Sequence, residues 1–183
     1  SGTPNLKTVV KTTNETVNNS ATLQNDDELK FSIGADETWT YRFVLQANSG
    51  TTPDFRFAVT APSGATCRVA YIDPEGATSN GQYGCGVSTT TVSGNGRVDV
   101  YEITGAVTNG ANAGDVTLQW AQFTANASNT IVYAGSYVVA TATTDVVSLD
   151  FTQNGNSFSQ TAVLGTTDNF GLNVITNGLT RLS

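Results

Sequence analysis

Fifteen carboxylates, two cysteines and two tryptophans are the residues with which this chain could do chemistry, and it contains no histidine. Without histidine the commonest general base, the usual partner of a serine or cysteine nucleophile and the favoured transition-metal ligand are all missing. A glycosidase would need two carboxylates facing each other across a cleft. Most of the acids instead fall in turn-like runs: Asp26, Asp27, Glu28, Asp36, Glu37, Asp54, Asp73 and Glu75. Asp73 and Glu75, in a glycine-rich stretch, read as solvated loop acids rather than a catalytic pair. The run Asn25-Asp26-Asp27-Glu28 is rich in oxygen ligands but lacks the alternating spacing of a calcium loop, so a solvated turn is expected there. No catalytic, cofactor-binding or metal-binding residue is assigned, and no enzyme is expected.

Cys67 and Cys85 lie 18 positions apart. In an oxidising compartment they would close a loop worth about 3 kcal/mol. In a reducing cytosol they would be free thiols, and that is the state expected. Two cysteines without histidine do not make an ordinary zinc site. Trp39 and Trp120 could stack on sugars, but each sits in an alternating apolar row, where a core position is expected. Tyr71 and Tyr83 are the better candidates for a surface contact, because they flank an irregular segment and recognition usually sits on loops held by a rigid scaffold.

The elements that would hold these residues read as strands. Leu29, Phe31 and Ile33 alternate, as do Trp39, Tyr41, Phe43 and Leu45, then Phe55, Phe57 and Val59, and later Val116, Leu118 and Trp120. Cys67 to Ile72 and Gly96 to Thr104 are further strands, the second carrying Val98, Val100, Tyr101 and Ile103. Turn chemistry separates them at Gly34–Glu37, Asn48–Asp54, Ala61–Gly64 and Asn109–Gly114. Strands at this spacing with no 3.6-residue period predict an all-β antiparallel sandwich, jelly-roll-like, with almost no helix.

Residues 1–12 read as an N-terminal arm or leading edge strand, 13–142 as the sandwich, and 143–183 as a β extension poorer in aromatics. Within the extension, Val147 to Phe151 and Phe158 to Val163 alternate around a hairpin-like Gln153-Asn154-Gly155-Asn156. The net charge of −7 repels phosphate backbones, so no nucleic-acid partner is expected. No apolar run reaches the length of a membrane span. The chain begins Ser1-Gly2, as a mature fragment or the remnant of a removed tag would, and no stretch reads as a signal peptide.

Several ordered motifs carry a resemblance. Val9-Val10-Lys11-Thr12, Thr16-Val17-Asn18-Asn19-Ser20 and Leu23-Gln24-Asn25-Asp26-Asp27-Glu28-Leu29 open the series. Asn48-Ser49-Gly50-Thr51-Thr52-Pro53-Asp54, Ala61-Pro62-Ser63-Gly64-Ala65-Thr66 and Val107-Thr108-Asn109-Gly110 continue it. Leu118-Gln119-Trp120-Ala121-Gln122 and Ser136-Tyr137-Val138-Val139-Ala140 close it. Over residues 8 to 141 the chain resembles a β-sandwich module of bacteriophage virion proteins, found in tail fibres, appendages and capsid decoration proteins. Asn169 to Leu182 resembles a short tail-fibre repeat that winds three chains together. The resemblance implies a structural role in the virion and a homotrimer in contact with other virion proteins. Two alternatives stand beside it: a carbohydrate-binding module that recognises a host-surface glycan, and a bacterial surface adhesin or fibre subunit.

Overall fold

In the computed structural model the described residues are 6–72, 83–89 and 91–143, with the backbone of two short strands near the C-terminus. They form twelve strands and no helix: β1 Leu6–Val10, β2 Glu15–Val17, β3 Gln24–Ile33, β4 Thr38–Asn48, β5 Phe55–Thr60, β6 Thr66–Ile72, β7 Val98–Thr108, β8 Gly114–Gln122, β9 Thr130–Val132, β10 Tyr137–Ala142, β11 Val174–Thr176 and β12 Leu179–Leu182. The chain divides into two compact units, Ser1–Ser148 and Leu149–Ser183. In the second unit β11 and β12 pair antiparallel, with Asn177-Gly178, a dipeptide suited to a tight hairpin loop, between them in sequence. The strands expected around Gln153–Asn156, and Asp73 and Glu75, lie outside the described residues.

The first unit is an antiparallel sandwich. Its larger sheet runs β1-β10-β4-β7-β6, with β2 and β9 attached beside β4, and its smaller sheet runs β3-β8-β5. Setting aside the short β2 and β9, the first strand pairs with the last (β1 with β10) and the second with the next to last (β3 with β8). That nesting is what a long hairpin produces when it curls over on itself, the jelly-roll arrangement. One strand departs from it. Instead of lying beside β5, β6 pairs with β7 from Thr66↔Thr108 to Ile72↔Glu102.

Period-two alternation explains the core. On β4, Trp39, Tyr41, Phe43, Leu45 and Ala47 point inward and are fully or nearly fully buried, while Thr40 and Arg42 point out. Phe31 of the facing sheet packs on Trp39 and Tyr41 at 5.9 and 5.8 Å between ring centres. Phe55 meets Tyr101 at 5.3 Å and Trp120 at 5.9 Å. Both tryptophans are core residues with no exposed surface. On β7 the strand alternates without interruption, but its apolar residues change phase. Tyr101 and Ile103 face inward, which sends Val98 and Val100 outward at 54% and 56% exposure. Two residues of odd and two of even number cannot share a face, and burying the aromatic ring recovers more apolar area.

Opposite Tyr41 on β7 the chain uses Gly105. A methyl group there would overlap the Tyr41 ring and come within 2.7 Å of the Arg68 carbonyl oxygen on β6. The carbonyl is held in the sheet and cannot retreat. Gly105→Ala is expected to lower stability by about 2 kcal/mol through overpacking, read from the urea midpoint. An unchanged midpoint would mean that the Tyr41 ring swings aside freely.

The free side of β5 is covered by the segment that follows Tyr83. Gly86 N–H donates to the Val59 carbonyl and Thr89 N–H to that of Phe57, each at 2.8 Å. Val92 and Phe55 exchange two backbone bonds. One step earlier, Tyr83 exchanges two 3.0 Å bonds with Val69 on the open side of β6. The segment thus leaves one sheet's edge and joins the other's, turning at Gly86 with φ of 70°. Cys85 sits at this crossing and is bonded to Cys67 of β6, their Cα atoms 4.9 Å apart. The free-thiol expectation is therefore corrected. The crossing brings the two residues together, and no local signal in the sequence reports it. The bond fastens a cover over two strand edges that would otherwise invite pairing with other chains.

Candidate functional site

Tyr71 and Tyr83 are brought together, with ring centres 6.2 Å apart. Tyr71 is only 9% exposed and stands edge-on to Phe57 at 5.1 Å. Tyr83 is half-buried and packs against the core. The pair extends the core beneath the crossing segment.

Among the described residues, a tight arrangement of ionisable side chains lies at the other side of the sandwich. Beyond β1 the backbone keeps its pairing with the β10 side: Lys11 N–H donates to the Ser136 carbonyl at 2.7 Å, and Gly135 N–H to the Lys11 carbonyl at 2.9 Å. Alternation puts Lys11 on the same inward face as Lys7 and Val9, and its side chain is completely buried. Lys11 Nζ donates to Glu15 Oε2 at 2.8 Å and to Asp26 Oδ1 at 2.9 Å, with Glu28 Oε1 at 4.0 Å.

Asp26 is the second half of this arrangement, and the expected solvated turn at Asn25–Glu28 is corrected by it. The run belongs to β3, and Asp26 is 1% exposed. Counting back by twos from Ile33, Phe31 and Leu29 would put Asp27 inside. The pairing of β3 with β8 shifts between Asn25 and Lys30, and this bulge turns Asp26 inward instead. A bulge frees backbone donors, and Asp26 satisfies them. Its Oδ1 accepts the N–H groups of Glu28 at 3.0 Å and Leu29 at 2.8 Å, a local bond typical of aspartate. Its Oδ2 accepts the indole N–H of Trp120 at 3.1 Å.

Glu28 ties the same region to the chain after β1. Its carboxylate accepts from the hydroxyl and N–H of Thr12 and from the hydroxyl and N–H of Thr13, between 2.6 and 3.0 Å. These bonds, the Thr12 hydroxyl's first, hold its pKa down at about 2, against an ordinary 4.5. A folded pKa below the unfolded one adds stability at pH above about 4.5, lost as pH falls toward 2. Glu28→Gln is expected to flatten the acid limb of stability against pH over that window. An acid limb identical to that of the parent would refute the assignment. For Lys11, burial is the largest single influence and favours the neutral amine. The bonds from Glu15 and Asp26 together outweigh it and raise the pKa.

Chemically, Glu15, Asp26 and Glu28 converge on one cation, and that cation is a lysine. Among the described residues no group of three or more His, Cys, Asp or Glu is placed to hold a metal ion. Sequence reasoning missed this cluster. The usable signal was Lys11 itself, two positions after Val9 in a strand with one buried face.

The outer face of the larger sheet also carries exposed apolar side chains. Leu6, Val10, Ile72, Val98 and Val100 lie exposed on it. Near its middle Arg42 Nη2 pairs with Glu102 Oε2 at 2.5 Å.

No protein-family model matches the chain, and no curated protein matches it. Among solved structures it is weakly similar to a chain in the structure of infectious bursal disease virus Gx strain, with 10% identity and a TM-score of 0.22, covering 78% of this chain and 41% of that one. A chain in the infectious bursal disease virus VP2 subviral particle gives 9% identity and a TM-score of 0.21, covering 76% and 39%. This chain spans about two-fifths of the length of those chains.

Proposed function

We propose that this chain is a structural subunit of a bacteriophage particle, a fibre, appendage or capsid decoration protein that works by assembly and surface contact. The observation that carries the reading is the ordered series of motifs from residue 8 to 141 that resembles a phage virion module. On this reading the chain assembles as a homotrimer. Light scattering on the purified chain should return three times the chain mass, and a monomer at working concentration would overturn the trimer. Peptides of this chain should be found in purified particles, and their absence from particles would overturn the virion role itself.

A second reading, a bacterial surface adhesin or fibre subunit, is favoured by the Cys67–Cys85 bond, since disulfides persist on extracellular surfaces. They also persist on virions, so the bond alone does not choose. Immunogold labelling does: label on particles supports the first reading, and label on uninfected cells supports the second.

A further inference from the structure

We propose that Lys11 and Asp26 are the two ends of an intramolecular isopeptide bond that this domain forms after folding, with Glu15 as the proton carrier. The inference rests on the geometry of the buried cluster and is independent of the virion reading.

An amine and a carboxylate condense when they are held in contact, kept from water and given a group that moves protons. All three conditions meet at Lys11. Its Nζ is 2.9 Å from Asp26 Oδ1, and the next atom beyond that oxygen is the carboxyl carbon, Cγ. The side chains of Lys11 and Asp26 have no exposed surface at all. Glu15 Oε2 lies 2.8 Å from the same Nζ, with a little solvent exposure at its own side chain. The far oxygen of Asp26 is held by the Trp120 indole N–H at 3.1 Å, a donor placed to stabilise negative charge on that oxygen. The backbone fixes both partners, Lys11 through its bonds to Gly135 and Ser136, and Asp26 through the bulge of β3.

The step balances within the site. Glu15 takes one proton from the Lys11 ammonium and, through the contact they share, that proton is passed to Asp26 Oδ1, so that a neutral amine meets a carboxylic acid. The freed lone pair forms the N–C bond to Asp26 Cγ, and the tetrahedral intermediate carries its one negative charge on Oδ2 beside Trp120. A second proton passes from the nitrogen, again by way of Glu15, to the Oδ1 hydroxyl, which leaves as water when the C–O bond breaks. The third proton stays on the amide nitrogen, and Glu15 is again a carboxylate. No oxidant or co-reactant is needed. The ammonium and carboxylate charges, costly to keep in a dry interior, disappear with the bond.

Intact mass of the full chain under denaturing conditions tests this. The folded and aged protein should weigh one water less than its sequence, after allowance for the two hydrogens lost at Cys67–Cys85. Proteolysis should yield a branched peptide joining the segment around Lys11 to that around Asp26. Lys11→Arg keeps the cation but removes the amine nucleophile, and should retain the full mass. Glu15→Gln should slow the loss of water while the fold remains. A parent chain at full sequence mass after prolonged incubation would overturn the proposal. So would a water deficit that maps to a linear peptide, as an aspartyl succinimide would give, or one that survives in Lys11→Arg.

Discussion

Replacing Asp26 with alanine is expected to destabilise the first unit by about 3–5 kcal/mol relative to freshly folded parent in which Lys11 and Asp26 are still an unlinked ion pair, the penalty typical of breaking a buried ion pair from one side. The loss is large because of what remains behind. Lys11 stays buried, with Glu15 as its one close partner and Glu28 at 4.0 Å. The N–H groups of Glu28 and Leu29 and the indole N–H of Trp120 each lose an acceptor in places water does not readily reach. The pair itself need not be strongly stabilising, since bringing two charges into the interior consumes much of their attraction. Urea denaturation separates these effects. Lys11→Met in the Asp26→Ala background should restore part of the lost stability by removing the stranded ammonium. A double-mutant cycle then reports the coupling directly. An Asp26→Ala protein within about 1 kcal/mol of the parent would show that the site relaxes or admits water, contrary to its described burial.

Loss of the Cys67–Cys85 bond is the second large effect, expected at about 3 kcal/mol from the loop it closes across 18 positions. In a domain near 150 residues that corresponds to a drop in Tm of roughly 6–12 °C. Reduction, Cys67→Ser and Cys85→Ser should all produce the same shift. The double substitution should cost little more than either single one, because each removes the same bond. The consequence goes beyond stability. Without the bond, the cover on two strand edges is held by the backbone pairings of Tyr83 with Val69 and of Gly86 to Val92 with β5, and by the packing of Tyr83 on Tyr71 and of Val92 in the core. Concentration-dependent association under reducing conditions is therefore expected, visible by light scattering. Free thiols detected by titration of the denatured, unreduced protein would contradict the bonded state.

The two effects fall at opposite sides of the sandwich and involve different edges. The disulfide holds the edges of β5 and β6, whereas Lys11, Asp26 and Glu28 fasten β1 and the segment after it to β3. The strands there contact each other across the two sheets. Lys7 strengthens the same side, donating to the Ser32 carbonyl and lying 4.8 Å from the centre of the Trp39 ring.

Much of the fold was legible in the residue order. The alternation of Trp39, Tyr41, Phe43 and Leu45, of Phe55, Phe57 and Val59, and of Val116, Leu118 and Trp120 by itself determined the strands, their inner faces and the all-β class, because a pleated strand sends every second side chain to one side. The core position of the two tryptophans followed from the same rule. Only the tertiary structure decided the rest. Which side of the bulge in β3 faces inward depends on the register with β8, so Asn25–Glu28 read as a solvated turn and nothing along the chain marked Asp26 for burial. The meeting of Lys11 with Asp26, and of Cys67 with Cys85, depends on which sheet edges the chain crosses. Alternation is a property of one strand, readable along the chain, whereas an ion pair or a disulfide belongs to two segments, and only their packing brings them within reach.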